Sequence, residues 1–189
     1  MSYYDPHLTQ ADIIERLENL DEDIYVFVKA NGISVPNKII VHIAGSTCLT
    51  LRNLSTTKTD DIDVYYVSNA IANIALEKYD MNTRVSSFNL TYNYEDRLEK
   101  IDLETKIIDY YMLSLEDTVA LKLLANRQKD MDNLDKELVV DRIDWTKLKE
   151  IALEMEYSVF GERMWKEFVH TYNEYCRRWK HEDSVITDI

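Results

Sequence analysis

Glycine and proline are scarce, with three and two copies in 189 residues. So few chain breakers leave little room for long disordered linkers, and they make each glycine informative. Cysteine is equally sparse. Cys48 and Cys176 lie far apart and lack metal-ligand spacing, so they are expected as free buried thiols, not as a disulfide framework or a zinc site. The four histidines, at 7, 42, 170 and 181, are scattered too. No stretch approaches the roughly 20 apolar residues of a membrane-crossing helix. The start, MSYYDPHL, has neither the basic region nor the apolar run of a secretory leader. A soluble, cytoplasmic protein is expected. Basic charge is also short: 22 Lys and Arg stand against 35 Asp and Glu, for a net charge of −13. That balance argues against extended DNA or RNA binding, which needs clustered cations. It suits a basic partner or a cation site built from carboxylates.

What is present is core material. Hydrophobic residues make up 46 % and charged residues 30 %, enough for one globular domain with a helical appendage. Thr9-Gln10-Ala11-Asp12 resembles a capping box. Ile13, Ile14, Leu17, Leu20, Ile24 and Val28 follow at helical spacing, predicting a helix to about Ala30 that ends at Asn31-Gly32. Lys38–Ala44 reads as a strand buried on both faces. A short helix over Thr47–Leu54, a polar loop and a strand over Asp61–Val67 follow. Ser68–Tyr79 reads as a helix, Val85–Tyr92 as a strand, and Ile101–Met112 as one or two more. Asn93–Lys100 reads as charged and exposed. From Ser114 the pattern is helical to the end, with Trp145, Phe160, Trp165, Phe168 and Trp179 as the expected core of that half. The order describes a sheet-bearing α/β half over 1–113 and a helical half over 114–189 packed on it.

The chemistry concentrates in Ile39–Tyr66. On a strand, Asp61 and Asp63 point to one side, roughly 6.5–7 Å apart, with Ile62 turned the other way. Two carboxylates so placed can chelate Mg²⁺ or Mn²⁺, hard cations that take oxygen ligands and bind triphosphates. Gly45 directly after a buried strand lets a backbone approach a phosphate closely, and Ser46 adds a hydroxyl donor. Lys122, among Val119, Leu121, Leu123 and Leu124 on an apolar helix, needs a charge partner or an exit to solvent. Tyr65, Tyr66, Tyr92, Tyr94, Tyr110 and Tyr111 can stack a base, although tyrosines at strand spacing commonly pack.

The string IAGSTCLTLRNLSTTKTDDIDVYY resembles the opening motif of the polymerase-β-like nucleotidyltransferases, an apolar run and Gly-Gly/Ser followed by Asp-x-Asp. It is most similar to the minimal, toxin-related branch that includes AbiEii-like and MenT-like proteins. Thr47–Arg52 and Lys58–Val64 stand where that branch often reads Gly-Gly-x-Ala-Leu-x-Leu-Arg and then Arg-x-Thr-x-Asp-Ile-Asp-Leu. Lys58 replaces the arginine, one position closer to the aspartates. A second segment, Ser114–Asp130, is similar to the family's Ser-Pro-Glu-Asp-Leu…Lys-Leu…Arg-x-x-Asp run, and Asp96-Arg97-Leu98 precedes it as in relatives with a helical tail. Asn133 stands in place of a further aspartate.

The resemblance implies a nucleotidyltransferase fold, a mixed α+β sheet with flanking helices and an all-helical C-terminal half. It implies transfer of a nucleotidyl group from a nucleoside triphosphate to an RNA end, a protein or a small molecule, with an antitoxin as a possible partner. Asp61 and Asp63 would hold Mg²⁺, and Gly45 and Ser46 the phosphates. Lys122 would contact the triphosphate with help from Lys58, and Asp130 would orient part of the site. The third carboxylate of larger relatives has two candidates, Asp102 and Asp109. The alternative is a degenerate domain of the same fold that binds nucleotides or a protein partner without turnover.

Overall fold

The computed structural model describes residues 7–54, 59–83 and 89–187. Lys58 and the first half of the strand expected over Val85–Tyr92 lie outside them, and the described remainder, 89–92, is not a strand. The chain divides into two compact units: Met1–Ser87 with Leu98–Leu113, and Phe88–Arg97 with Ser114–Ile189.

The first unit is built on helix α1 (Gln10–Ala30) and a five-stranded mixed sheet. Thr9 and Asp12 cap α1 reciprocally: the Thr9 hydroxyl accepts from the Asp12 amide at 3.2 Å and the Asp12 carboxylate accepts from the Thr9 amide at 2.7 Å. Ile13, Leu17, Leu20, Ile24 and Val28 form its buried stripe. The strands are β1 (Ile39–Ala44), β2 (Ile62–Val67), β3 (Met81–Asn82), β4 (Glu99–Lys100) and β5 (Ile108–Met112), in the order β3-β2-β1-β5-β4. β1 runs antiparallel to β2 and parallel to β5. Between β1 and β2 lies α2 (Ser46–Leu51), and α3 (Ala70–Ala75) follows β2.

Ile39, Val41 and Ile43 of β1, Val64 of β2, and Ile108 and Tyr110 of β5 form the face that meets α1, where the Tyr110 hydroxyl donates to the Leu17 carbonyl at 2.8 Å. Asp21 of α1, itself buried, accepts from the backbone amides of Lys106, Ile107 and Ile108 at 2.7–2.9 Å and so fixes where β5 begins. β1 is not buried on both faces throughout. Ile40 is exposed because it points to the opposite side of the sheet, in line with Asp109.

The second unit contains α4 (Leu115–Ala125), α5 (Gln128–Leu134), α6 (Glu137–Val140), α7 (Trp145–Glu154) and α8 (Gly161–Arg178), with a 3-10 turn over Tyr94–Arg97. α4 packs on α5, α7 and α8. Trp165 and Phe168 are core residues as expected, joined by Tyr172 and Tyr175. Phe160 is not. It is 87 % exposed because it caps α8 ahead of Gly161, whose φ of +82° turns the chain into the helix. Trp145 and Trp179 are half-buried, Trp145 stacking on His181 with ring centroids 3.8 Å apart. Both cysteines are buried, and neither is in a disulfide among the described residues. No helix is long and apolar enough to cross a membrane.

Candidate active site

The antiparallel pairing of β1 and β2 sets Ala44 opposite Asp63. The turn that leaves β1 therefore passes directly over the Asp63 carboxylate. Gly45 adopts φ +69°, in the left-handed region. A Cβ at Gly45 would lie 2.0 Å from Asp63 Oδ2 and 2.9 Å from its Cγ. Both the backbone angle and this approach require glycine. Asn82 of β3, opposite Asp63 in the ladder, donates its side-chain amide to Asp63 Oδ1 at 3.3 Å.

Asp61 sits just ahead of β2. Its backbone carbonyl accepts from two hydroxyls, Thr47 at 3.2 Å and Thr59 at 3.0 Å. Those bonds tie the start of β2 to α2 and to the strand bridge between Leu8 and Thr59. Ile62 between the aspartates is fully buried, and Asp61 and Asp63 are half-buried, as strand alternation requires. Gly45 and Ser46 are half-buried as well. Turn and carboxylates thus meet at a rim that a ligand can reach.

The donor set at this rim fits a hard divalent cation. Its side-chain ligands would be carboxylate oxygens, and Mg²⁺ is commonly held by one or two carboxylates together with substrate phosphates. Among the described residues, no group of three or more His, Cys, Asp or Glu is placed to hold a metal. The position on β5 level with Ala44 and Asp63 falls to Leu113, next after Met112, which pairs with Ile43. Asp109 pairs with Ile40, four residues back along β1. It bonds Lys100 at 3.1 Å and Lys38 at 3.3 Å. Burial raises its pKa, but those two lysines outweigh burial and hold it below the usual range. Asp102 is exposed beyond β4.

The residues of the second motif form a network of their own within the second unit. Ser114 caps α4, accepting from the Asp117 amide at 3.0 Å. Asp117 takes a two-pronged bond from Arg97, at 2.9 and 2.8 Å. Arg97 also donates to Thr91 and reaches Glu154 at 3.4 Å. Asp117 is the main reason the Arg97 pKa is raised. The stretch expected as charged and exposed is therefore anchored by Arg97, whose side chain is 14 % exposed. Glu116 accepts from the Asp144 amide at 3.0 Å, at the head of α7. Lys122 neither snorkels nor emerges at an edge. It is buried and donates to Asp130 at 2.8 Å, and Asp130 also accepts from Arg127 at 2.6 Å. Burial pushes the Asp130 pKa up, and the Arg127 and Lys122 bonds together bring it below the ordinary value. Asn133 is buried on α5.

The sequence motifs did not signal Arg97, Asn82 or Asp21 as bonding residues. Their partners lie 20, 19 and more than 80 residues away, so strand pairing and helix packing alone bring them together.

No match exists among curated proteins or solved structures. One family model does match, across residues 15–180, from α1 to just past α8, and so takes in the Gly45–Asp63 rim and the Ser114–Asp130 network together. A match over most of the length identifies the chain as a member of the family described as "Nucleotidyltransferase of unknown function (DUF6036)".

Proposed function

We propose that this chain is a metal-dependent nucleotidyltransferase whose reaction centre is the Gly45–Asp63 rim. One observation carries the reading: the turn after β1 crosses Asp63 so closely that no side chain fits at Gly45. A turn packed for folding alone does not need a carboxylate against its α-carbon. A turn that must bring backbone N–H groups and an acid to one phosphate does.

Gly45 and Ser46 take the β- and γ-phosphates of a nucleoside triphosphate, Ser46 through its hydroxyl. Asp61 and Asp63 would hold Mg²⁺ or Mn²⁺, which when bound supplies neutralisation of the triphosphate charge during in-line displacement. The acceptor's hydroxyl oxygen bonds to the α-phosphorus and the bond to the bridging α–β oxygen breaks. Pyrophosphate leaves, and the acceptor proton passes to solvent or to a carboxylate of the rim. Asn82 keeps the Asp63 carboxylate turned to the rim through its bond to Oδ1. The hydroxyls of Thr47 and Thr59 fix the backbone from which Asp61 projects. Lys58, in the segment before Asp61, assists with triphosphate charge. Placing charges in advance supplies most of the rate in such reactions. The acceptor is an RNA end, a protein or a small molecule, and in the toxin-related setting an antitoxin protein restrains the activity.

The check is transfer of radiolabel from α-labelled nucleoside triphosphates in Mg²⁺. The Asp63→Asn protein, melting like the parent, should lose at least about a hundredfold in rate. Transfer at the parent rate would sink the reading. A second reading, nucleotide binding without turnover, is favoured by one observation: Leu113, not an acid, stands level with Asp63. Mg²⁺-dependent calorimetric binding of a triphosphate with no transfer to any acceptor class would select it.

A further inference from the structure

The site-facing side of the sheet carries more than aspartates. Alternation along β1 puts Ile40, His42 and Ala44 on the side of Asp63, because Ala44 is the residue opposite it. One pleat back from Ala44, roughly 7 Å along the strand, His42 has Tyr66 opposite on β2 and Tyr111 opposite on β5. The three rings form a row. His42 and Tyr66 centroids are 4.9 Å apart, and His42 and Tyr111 are 6.1 Å apart in an edge-on arrangement. His42 is buried beneath, Tyr111 is half-buried, and Tyr66 is 44 % exposed.

A regular strand would not present Tyr66 here. Counting by twos from Asp63 keeps residues 65 and 67 on its side and turns Tyr66 to the core with Val64. Instead Ile43 pairs with Val64 and the next residue, His42, pairs with Tyr66. Tyr65 is the extra residue of a β-bulge. The bulge swings Tyr66 onto the Asp63 side and returns Val67 to the core side, opposite Val41. Bulges disturb a ladder locally and recur beside active sites, where they re-aim side chains. Next to Tyr66 is an open depression of about 460 Å³. Its lining follows β2 from Val64 through Tyr66 to Ser68 and continues to Asn69, Asn73 and Thr83, with no charged side chain among the described lining residues. Asn73 and Thr83 are exposed there.

A partly exposed tyrosine ring beside a depression with neutral amides and hydroxyls, and no cation among the described lining residues, matches a nucleobase. Every base has a π-face for the ring, and its edge exchanges hydrogen bonds with amides and hydroxyls. We propose that a nucleobase stacks on Tyr66, with its edge toward Asn73 and Thr83, one pleat from the reacting phosphate. The proposal rests on the nucleotidyltransferase reading of the rim. The base belongs either to the donor triphosphate or to the acceptor.

The test is calorimetric titration of the full chain in Mg²⁺ with three probes: α,β-methylene-ATP, inorganic tripolyphosphate and tri-adenylate. Tyr66→Ala should weaken the methylene-ATP by about tenfold if the donor base is held, or the tri-adenylate by about tenfold if the acceptor base is. In both cases tripolyphosphate binding stays at the parent value, and Tyr66→Phe, which keeps the ring, stays within about twofold. Parent affinity of Tyr66→Ala for both base-bearing probes overturns the stacking proposal. If Asp63→Asn still weakens the methylene-ATP in that case, the rim reading survives alone. Equal weakening of tripolyphosphate and the methylene-ATP by Tyr66→Ala also overturns it, since the base is then irrelevant. A parent chain that binds none of the three probes removes the rim reading and the stacking proposal together.

Discussion

The two motifs of this chain use the same residue types to opposite ends. At Gly45–Asp63, carboxylates and a hydroxyl stand half-buried around a turn that can accept no side chain. At Ser114–Asp130, acids and bases are closed on one another: Arg97 on Asp117, Glu116 on the Asp144 amide, and Lys122 and Arg127 on Asp130. A charge is available for chemistry only when the fold leaves part of its surface to a ligand. One fully enclosed with its counter-charge is held in place, and removing either member leaves the other buried and uncompensated. The charges of the second motif, which the family resemblance assigns partly to triphosphate contact, are bonded to one another within the second unit.

That contrast makes Lys122→Met the most severe substitution. It leaves Asp130, which is fully buried, with Arg127 as its remaining charged partner among the bonds described. Stability should fall by about 3–5 kcal/mol, read as a lowered midpoint in denaturant melts. A Lys122→Met protein that melts like the parent but no longer transfers nucleotides would erase the distinction and return Lys122 to the triphosphate. Gly45→Ala should act the other way. It costs about a hundredfold in transfer, from a displaced Asp63 carboxylate, and the backbone strain of a non-glycine residue at φ +69° costs about 1 kcal/mol of stability. Unchanged kinetics in that variant would mean the close approach serves no chemistry.

Arg97→Lys keeps the charge but cannot make the two-pronged bond to Asp117. A loss of about 1–2 kcal/mol is expected, with transfer kinetics unaffected at temperatures where the protein is folded. The smallest effect concerns acid. The Asp130 pKa lies below its ordinary value of 3.8 in the folded chain. Its contribution is therefore complete above about pH 4 and is lost as pH falls through the lowered value. Asp130→Asn, which also removes the counter-charge of buried Lys122 and so lowers stability at neutral pH, should flatten the acid limb of the stability curve, and an unaltered limb would show that other carboxylates dominate it.

Much of this was legible from residues alone. Local rules set the ends of α1, since a Thr–Asp capping pair and an Asn-Gly stop act within a few residues of each other. The run Ile39–Ala44 and the pair Asp61/Asp63 were visible because apolar periodicity and i, i+2 alternation are properties of one strand. The Gly45-Ser46 turn was legible as a strand-to-helix turn from its place after a buried strand. Phe160 was misjudged because an aromatic beside a helix pattern reads as core until the cap geometry shows where its side chain goes. Arg97 was taken as surface charge because Asp117, its counter-charge, is 20 residues away.

Sequence by itself determined which oxygens and which glycine are available, and that a sheet-bearing half precedes a helical one. Tertiary structure decided which of those groups are usable. Strand pairing put Gly45 against Asp63 and Asn82 beside it. A single extra residue at Tyr65 reversed the facing of Tyr66. Helix packing enclosed Lys122 with Asp130. Periodicity fixes what one element presents along its own axis. Register, bulges and burial depend on a second element tens of residues away, and they decide whether a charged group meets a ligand or another charge.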